Sequence, residues 1–368
     1  WIIDDTGFPK KGVHSVGVAR QYCGMLGKQD KCQVAVSVSL ACDQGSIPVA
    51  WQLYLPQDWA QDAERRKRTG VPESVRFATK TQIALHQLRT LLSEGAPRHC
   101  VLADAGYGVD TAFRQALSDM GLHYAVGVTS AVVVWPPGVE PLPPETYSGK
   151  GRPPVTPRRT AQLQPMSVKA LALSLPAQAF QTISWREGTN APLTGRFAAV
   201  RVRHAGGNAG KASLRPQEWL LIEWPVEQAE PVKYILSTLP ESTPLNDLVS
   251  CAYQRWRIER DYQDLKQDFG LGHYEGRGWR GFHHHASLSI ATYAFLMSER
   301  LIADKPAGGK KNFIERQVPA VPQDYIPRGR PARTAARGQL DHKLASSAEL
   351  RTHRPSGTVP LLRPHQRE

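Results

Sequence analysis

The 368-residue chain is poor in sulfur, with five cysteines and four methionines. Cys23, Cys32, Cys42, Cys100 and Cys251 form an odd, scattered set without a Cys-x-x-Cys pair. That speaks against a disulfide framework or a cysteine-based zinc site, and suits a reducing cytoplasm. No apolar run approaches the ~20 residues of a membrane span, and no signal peptide opens the chain, so no membrane role is expected. Internal repeats are absent as well. Trp1 stands first rather than Met, so a natural start upstream is expected. Acidic side chains are in deficit, 33 against 46 Lys and Arg, for a net charge of +13.

That excess is unevenly spread. Residues 304–368 carry 13 Lys/Arg against 6 Asp/Glu, net +7, and the preceding residues carry net +6. A mildly basic body with a strongly basic tail suits a polyanionic partner, most simply nucleic acid. Hydrophobic residues at 41% and charged residues at 21% are ordinary globular values, so wholesale disorder is excluded.

Periodicity gives the architecture. Trp1 to Asp4 is a short apolar run ending in carboxylates. From Gln33 to Cys42, Val34, Val36, Val38 and Leu40 alternate with Ala35, Ser37, Ser39 and Ala41, which predicts a strand. Ile47 to Tyr54 reads as a third strand, reached through Asp43-Gln44-Gly45, in an antiparallel meander. Residues 76–93 have helical spacing, 99–104 read as a buried strand ending in Asp104, 110–120 as a helix and 122–128 as a fifth strand. The order β-β-β-α-β-α-β is that of the ribonuclease H-like fold, an α/β fold whose mixed five-stranded sheet presents acidic residues at strand ends.

Nine prolines between Pro136 and Pro165 exclude a continuous helix or central strand there. Strand-like runs follow at 196–203, 218–224 and 232–238. Residues 129–230 therefore read as a Pro-rich linker and β-rich insertion between a first catalytic part, 1–128, and a second, 231–302. A long helix is expected from Thr243 as N-cap and Pro244 as first residue to about Phe269. A further helix, 284–302, is expected to bury Leu288, Ala291, Ala294 and Phe295. Residues 303–368 read as a basic, mostly disordered tail.

Three carboxylates stand out by position: Asp4, beside Asp5, Asp104, and Glu259 in the long helix. On this fold they converge at one sheet edge. Carboxylates gathered so closely repel, and a pair of Mg²⁺ ions, with Mn²⁺ as a substitute, would relieve the repulsion and clamp the oxygens of a phosphodiester. Adjacent strand residues face opposite ways, so only one of Asp4 and Asp5 can serve, and Asp5 is the reserve. In the helix, Arg255, Glu259 and Lys266 fall on one face at ~100° per residue, while Ile258, Tyr262, Leu265 and Phe269 share a neighbouring apolar face.

Asp4-Asp5-Thr6, Val101 through Tyr107, and Arg255-Trp256-Arg257-Ile258-Glu259 through Lys266 resemble bacterial insertion-sequence transposases of the DDE superfamily. They resemble most the IS-four-like clan marked by a Tyr-Arg-Glu-Lys signature. Lys10 through Tyr22 is similar to its IS-seven-oh-one branch. The resemblance covers roughly residues 1 to 300. Tyr253 lies one residue closer to Arg255 than that signature has it.

The resemblance implies a DNA transposase with Asp4, Asp104 and Glu259 as catalytic metal ligands for two Mg²⁺. It implies cleavage and strand transfer at element ends, with terminal inverted repeats and target as double-stranded DNA partners. Arg255 and Lys266 would hold phosphates, with Lys10, Lys11 and Arg257 as further DNA-facing cations. Joining two ends implies a homodimer on DNA, in a bacterial cytoplasm at the nucleoid. In the family a helical region precedes the first catalytic strand, so this chain is expected to lack much of its sequence-specific DNA reader. The competing readings are another ribonuclease H-like nuclease and a truncated, inactive DNA-binding relic.

Lesser candidates carry plainer expectations. His283-His284-His285 is contiguous rather than at i, i+3 or i+4, so solvent or phosphate contact is expected over metal binding. Trp219 and Trp224 are expected in the core of the insertion rather than stacked on a DNA base. Glu275 is expected to be a loop carboxylate.

Overall fold

The computed structural model describes residues 1–139, 141–142, 145–151, 160, 163–186, 192–205 and 215–303. The tail expected to be disordered lies outside them. In chain order the elements begin β1 (Ile2–Pro9), β2 (Ala19–Cys23), β3 (Lys28–Cys42) and β4 (Gly45–Leu53), then α1 (Gln57–Gln61), α2 (Ala63–Thr69) and α3 (Lys80–Ser93). β5 (Val101–Ala103), α4 (Ala105–Gly108), α5 (Thr111–Asp119) and β6 (Tyr124–Val128) complete the first part. β7 (Val133–Trp135), β8 (Met166–Ser167), α6 (Val168–Ser174), β9 (Gln181–Arg186), β10 (Leu193–His204), β11 (Glu218–Glu223) and β12 (Lys233–Ser237) follow. The chain continues through α7 (Leu245–Tyr253), α8 (Trp256–Gln267) and α9 (Trp279–Ala303).

Five strands run in the order β4-β3-β1-β5-β6, with β1, β5 and β6 parallel to one another and β3 antiparallel to β1 and β4. This is the meander-then-crossover sheet expected from the sequence. Both faces of β3 are covered, so Val34 to Ser39 are all buried, the serines included. On one face Ile3, Val36, Val101 and Val126 pack with Leu88 of α3 and Phe113 of α5. On the other Ile2, Leu102 and Ala125 pack with Val249 of α7 and with Ile258 and Tyr262 of α8. α3 starts at Lys80 rather than residue 76, because Thr79 and Gln82 form a reciprocal capping box.

The insertion does not leave the sheet. β12 pairs antiparallel with β6, and β11, β10 and β9 continue outward. The three anticipated strands are there as β10, β11 and β12; β9 and α6 were not anticipated. Among the described residues of the Pro-rich stretch no helix or strand element occurs, as the prolines require.

Two expectations fail. The single long helix is broken into α7 and α8 at Gln254-Arg255, and Pro244, not Thr243, is its N-cap. Gln254 N–H bonds back to Cys251 and Arg257 N–H to Gln254, three residues each, so the helix tightens there. Side-chain ties cover the break: Gln254 donates to Asp43, and the Arg257 guanidinium donates to the carbonyls of Gln254's side chain and Asp43. In α9 the buried face is also the opposite of the one expected. Trp279, Phe282, Ala286, Ser289 and Tyr293 face the core, and Leu288 and Phe295 are exposed. The core there is built from Phe8, Trp59 and Leu265, which meet the first set.

Candidate active site

Alternation along β1 sends Ile2, Asp4 and Thr6 to the α8 side and Ile3 and Asp5 to the α3 side. The parallel pairing of Ile2 with Leu102 and Ile3 with Ala103, continued one step, brings Asp4 beside Asp104 just past the end of β5. Asp104 is the N-cap of α4, where its Oδ1 accepts the Tyr107 N–H at 3.3 Å. A tight approach fixes that turn. A Cβ on Gly108 would lie 1.9 Å from the Gly127 carbonyl, and one on Gly127 would lie 3.0 Å from Ala105 N. Only two glycines let β6 close against the Asp104 turn.

α8 supplies the third carboxylate. The Arg255 guanidinium donates to Asp4 Oδ2 at 2.9 Å and to Glu259 Oε1 at 2.6 Å, so one fork spans both acids. Asp4 is mostly buried and Glu259 largely open, with side-chain exposures of 16% and 62%. Burial, with a contribution from the neighbouring Asp104, pushes the Asp4 carboxyl up to about 7 against the pull of Arg255. Burial opposes the charge on Arg255, but Asp4, Glu259 and Asp104 together hold its pKa above the usual value. Asp104, Arg255 and Glu259 line a cavity of about 390 Å³ whose far wall includes Trp185, Lys233 and Tyr253.

The reserve acid, Asp5, serves elsewhere. It accepts from Lys80 at 2.8 Å and from the Tyr107 hydroxyl at 3.3 Å on the opposite sheet face. Tyr107 thus ties the Asp5 carboxylate, by its hydroxyl, to the Asp104 turn, by its amide.

Among the described residues no group of three His, Cys, Asp or Glu side chains stands close enough to hold a metal ion. The donor chemistry at Asp4 and Asp104 nevertheless fits a hard divalent cation. Two carboxylates adjoin, and burial together with the neighbouring Asp104 raises the Asp4 carboxyl even against the pull of Arg255, a cost to the charged form that a cation would relieve. Glu259 is held by Arg255 through Oε1, which leaves Oε2 open toward solvent.

The other sequence candidates are distributed as follows. Lys266 turns inward: its ammonium donates to Thr6 Oγ1 at 2.7 Å and to the Gly7 carbonyl at 2.8 Å, over the Phe8 ring. Burial lowers its pKa to about 8. It laces α8 to β1 just past Asp4. Replacing Lys266 with Met is expected to cost about 1–3 kcal/mol, the range for a lost charged hydrogen-bond pair, read from denaturant melts. Unchanged stability would show that the lacing contributes nothing. Lys10 donates to the Tyr274 carbonyl, while Lys11 is exposed and has no partner among the described residues. Arg257 closes the α7–α8 break, as described, and lies over Trp256.

Tyr253, off register by sequence, donates to Glu223 of β11 at 2.5 Å and packs against Trp185 and Phe197. His283 accepts the Leu53 N–H and donates to the Trp279 carbonyl, so its ring staples α9 to β4. Trp219 and Trp224 donate to the carbonyls of Pro240 and Gln228, and Glu275 is exposed in its loop.

Sequence reasoning missed Asp261. This buried acid accepts from Ser46 at 2.6 Å and Tyr293 at 3.0 Å, fixing the roll of α8 against β4 and α9 two residues from Glu259. Its signal was available: Asp261 sits between Ile258 and Leu265 on the apolar side of the helix.

Residues 1–192 match the family described as DDE superfamily endonuclease. Over 130 residues the chain is 34% identical to a probable transposase for insertion sequence element IS701 from Microchaete diplosiphon. That alignment covers 35% of this chain and 31% of the relative, so the matched part is about a third of the relative's length. The family match takes in more than half of the chain and both strand-end aspartates on a ribonuclease H-like sheet, and on that ground the chain belongs to the DDE superfamily endonucleases.

Proposed function

We propose that the chain is the catalytic part of an insertion-sequence transposase that cleaves and joins DNA phosphodiesters at element ends. The observation that carries this reading is the side-by-side arrangement of Asp4 and Asp104 with Glu259 reached through a single guanidinium. Asp4, Asp104 and Glu259 would hold Mg²⁺, two ions in all, with Mn²⁺ as a substitute. Bound there, the cations would supply Lewis-acid stabilisation of the attacking and leaving oxygens.

The protein's own contributions follow from the geometry. Asp4 is kept poised by burial, and Arg255 screens the acids from one another until a phosphate or cation competes for them. Lys11, exposed and without a partner among the described residues, would meet DNA phosphates most readily, and Lys10, Arg255, Arg257 and Lys266 would do so beside or in exchange for the bonds they now make. Residues 1–128 and 231–302 form the catalytic halves in this reading, residues 129–230 the insertion and 303–368 a basic tail. Its partners are element ends and target duplex, engaged by two copies of the chain.

Nicking of supercoiled plasmid carrying element ends tests the proposal. The expected result is nicking in Mg²⁺ or Mn²⁺, none in EDTA, and none by Asp104→Asn in either cation. Equal nicking by parent and Asp104→Asn, or none by a folded parent, would remove the catalytic reading.

A further inference from the structure

Four of the five free cysteines meet in pairs. Cys32 donates to Cys23 between β3 and β2, where both are fully buried and burial pushes the Cys32 thiol up to about 12. The second pair is placed differently. Cys100, the residue before β5, donates its thiol proton to Cys251 in the last turn of α7. These two stand about 150 residues apart in sequence, and both remain partly open to solvent. Cys42, the fifth, is exposed and belongs to neither pair.

The contact between Cys100 and Cys251 is held from two sides. Both side chains pack against the cluster that contains Ile2, Leu102, Val249 and Ala252, and β5 is itself fixed by its parallel pairing with β1. The two thiols are not equivalent. The bond from Cys100 lowers the Cys251 pKa, against the opposing effect of burial, and the same bond raises that of Cys100. A thiolate is the reactive form of cysteine, so Cys251 is the attacking sulfur and Cys100 the resolving one. Among the described residues no third His, Cys, Asp or Glu joins them, so the pair has no means to close a metal centre. Hydrogen-bonded sulfurs reach the ~2.05 Å of a disulfide by small side-chain rotations.

We propose that Cys100 and Cys251 form a peroxide-responsive pair that closes to a reversible disulfide and pins α7 to the strand ending at Asp104. The Cys251 thiolate attacks one peroxide oxygen, the O–O bond breaks, and the departing hydroxide takes up a proton as water. The resulting Cys251 sulfenic acid is attacked by the Cys100 sulfur. The S–S bond forms, the S–O bond breaks, and hydroxide leaves with the Cys100 proton as a second water. Two thiols thus lose two hydrogens and two electrons, and the peroxide accepts both. In a reducing compartment the pair rests as thiols and closes only under oxidant. Its place gives the bond leverage on the carboxylate site. Ala252 and Tyr253 line the cavity, the Gln254 N–H bonds to the Cys251 carbonyl, and Arg255 spans Asp4 and Glu259. A cross-link at Cys251 therefore fixes the corner from which Arg255 reaches both acids.

Hydrogen peroxide added to the reduced full chain, followed by intact mass, peptide mapping and thermal melting, tests this. The parent is expected to lose two of its five thiols and about 2 Da, with the peptides around Cys100 and Cys251 joined. Dithiothreitol is expected to restore both thiols. Closing so long a loop is expected to raise the melting midpoint by roughly five degrees or more. In Cys100→Ser, Cys251 is expected to take up oxygen as sulfenic and then sulfinic acid, with no rise in melting. In Cys251→Ser, Cys100 is expected to stay reduced under the same exposure. A parent that keeps all five thiols overturns the proposal, as does one whose Cys251 is oxidised without joining Cys100. A disulfide through Cys23, Cys32 or Cys42 in its place overturns it too. A joined pair with an unchanged midpoint overturns the pinning of α7. These readouts need neither DNA nor divalent cation, so the transposase reading stands or falls apart from them.

Discussion

Replacing Glu259 with Gln is expected to lower cation-dependent nicking by about a thousandfold or more while leaving the fold in place. The amide keeps the volume of the side chain and removes its charge. In the folded protein Glu259 is largely solvated, and its ion pair with Arg255 is an i, i+4 contact. Such a pair stabilises a helix by only about 0.3–0.5 kcal/mol, so melting should hardly change. The chemical step is different. A carboxylate that balances cation charge at the scissile phosphate contributes several kcal/mol to the transition state, and each 1.4 kcal/mol is about tenfold in rate. Single-turnover nicking rates beside thermal melts separate the two effects. A rate within tenfold of the parent would take Glu259 out of the mechanism.

The second large effect concerns Asp4 and runs opposite to intuition: Asp4→Asn should stabilise the cation-free protein at pH 8. The Asp4 carboxyl is raised from an ordinary 3.8 to about 7 in the folded state. The folded protein therefore holds this proton over an interval where the unfolded chain has released it. Below pH 4 both states are protonated and nothing is lost. As pH rises from 4 through 7 the folded state is progressively disfavoured, and above 7 the full penalty applies. Across that interval the penalty is on the order of 2–4 kcal/mol, at about 1.4 kcal/mol per pH unit. Asn carries no such penalty, so the gap between variant and parent should open with pH and close near pH 4. Millimolar Mg²⁺ at pH 8 should stabilise the parent and not the variant, since only the parent gains a cation bound to the native state. A variant less stable than the parent at pH 8 without cation would show that the Arg255 bond outweighs burial at Asp4.

The parts of this molecule that sequence reveals are those governed by local periodicity. Val34, Val36 and Val38 mark β3, and the run Val101-Leu102-Ala103 followed by Asp104 marks a buried strand with an acid at its end. Placing Asp104 beside Asp4 needed only the strand order, because parallel neighbours of one fold end at the same edge. The break between α7 and α8 was illegible, since Gln254 and Arg255 are acceptable helix residues. What bends the chain there is bonding to Asp43 and Asp4, more than two hundred residues away in sequence. The buried side of α9 was illegible for another reason. Two apolar stripes compete on one helix, and periodicity cannot say which of them meets the core. β2 escaped notice because Arg20, Gln21 and Tyr22 lie at the rim of the sheet and alternate weakly in polarity. The inward turn of Lys266 likewise depends on where β1 lies, which no helical wheel contains.

The direct seam between β6 and β12 has a bearing on how such chains can vary in length. Residues gained or lost in the proline-rich stretch before β8 leave every acid where it is, because both ends of the detour return to the same edge of the sheet. Deleting a single residue between Val101 and Asp104 would instead carry that aspartate through to the α3 side, out of reach of Asp4. Growth by detour is thus tolerated, and a one-residue slip next to the acids is lethal to the site.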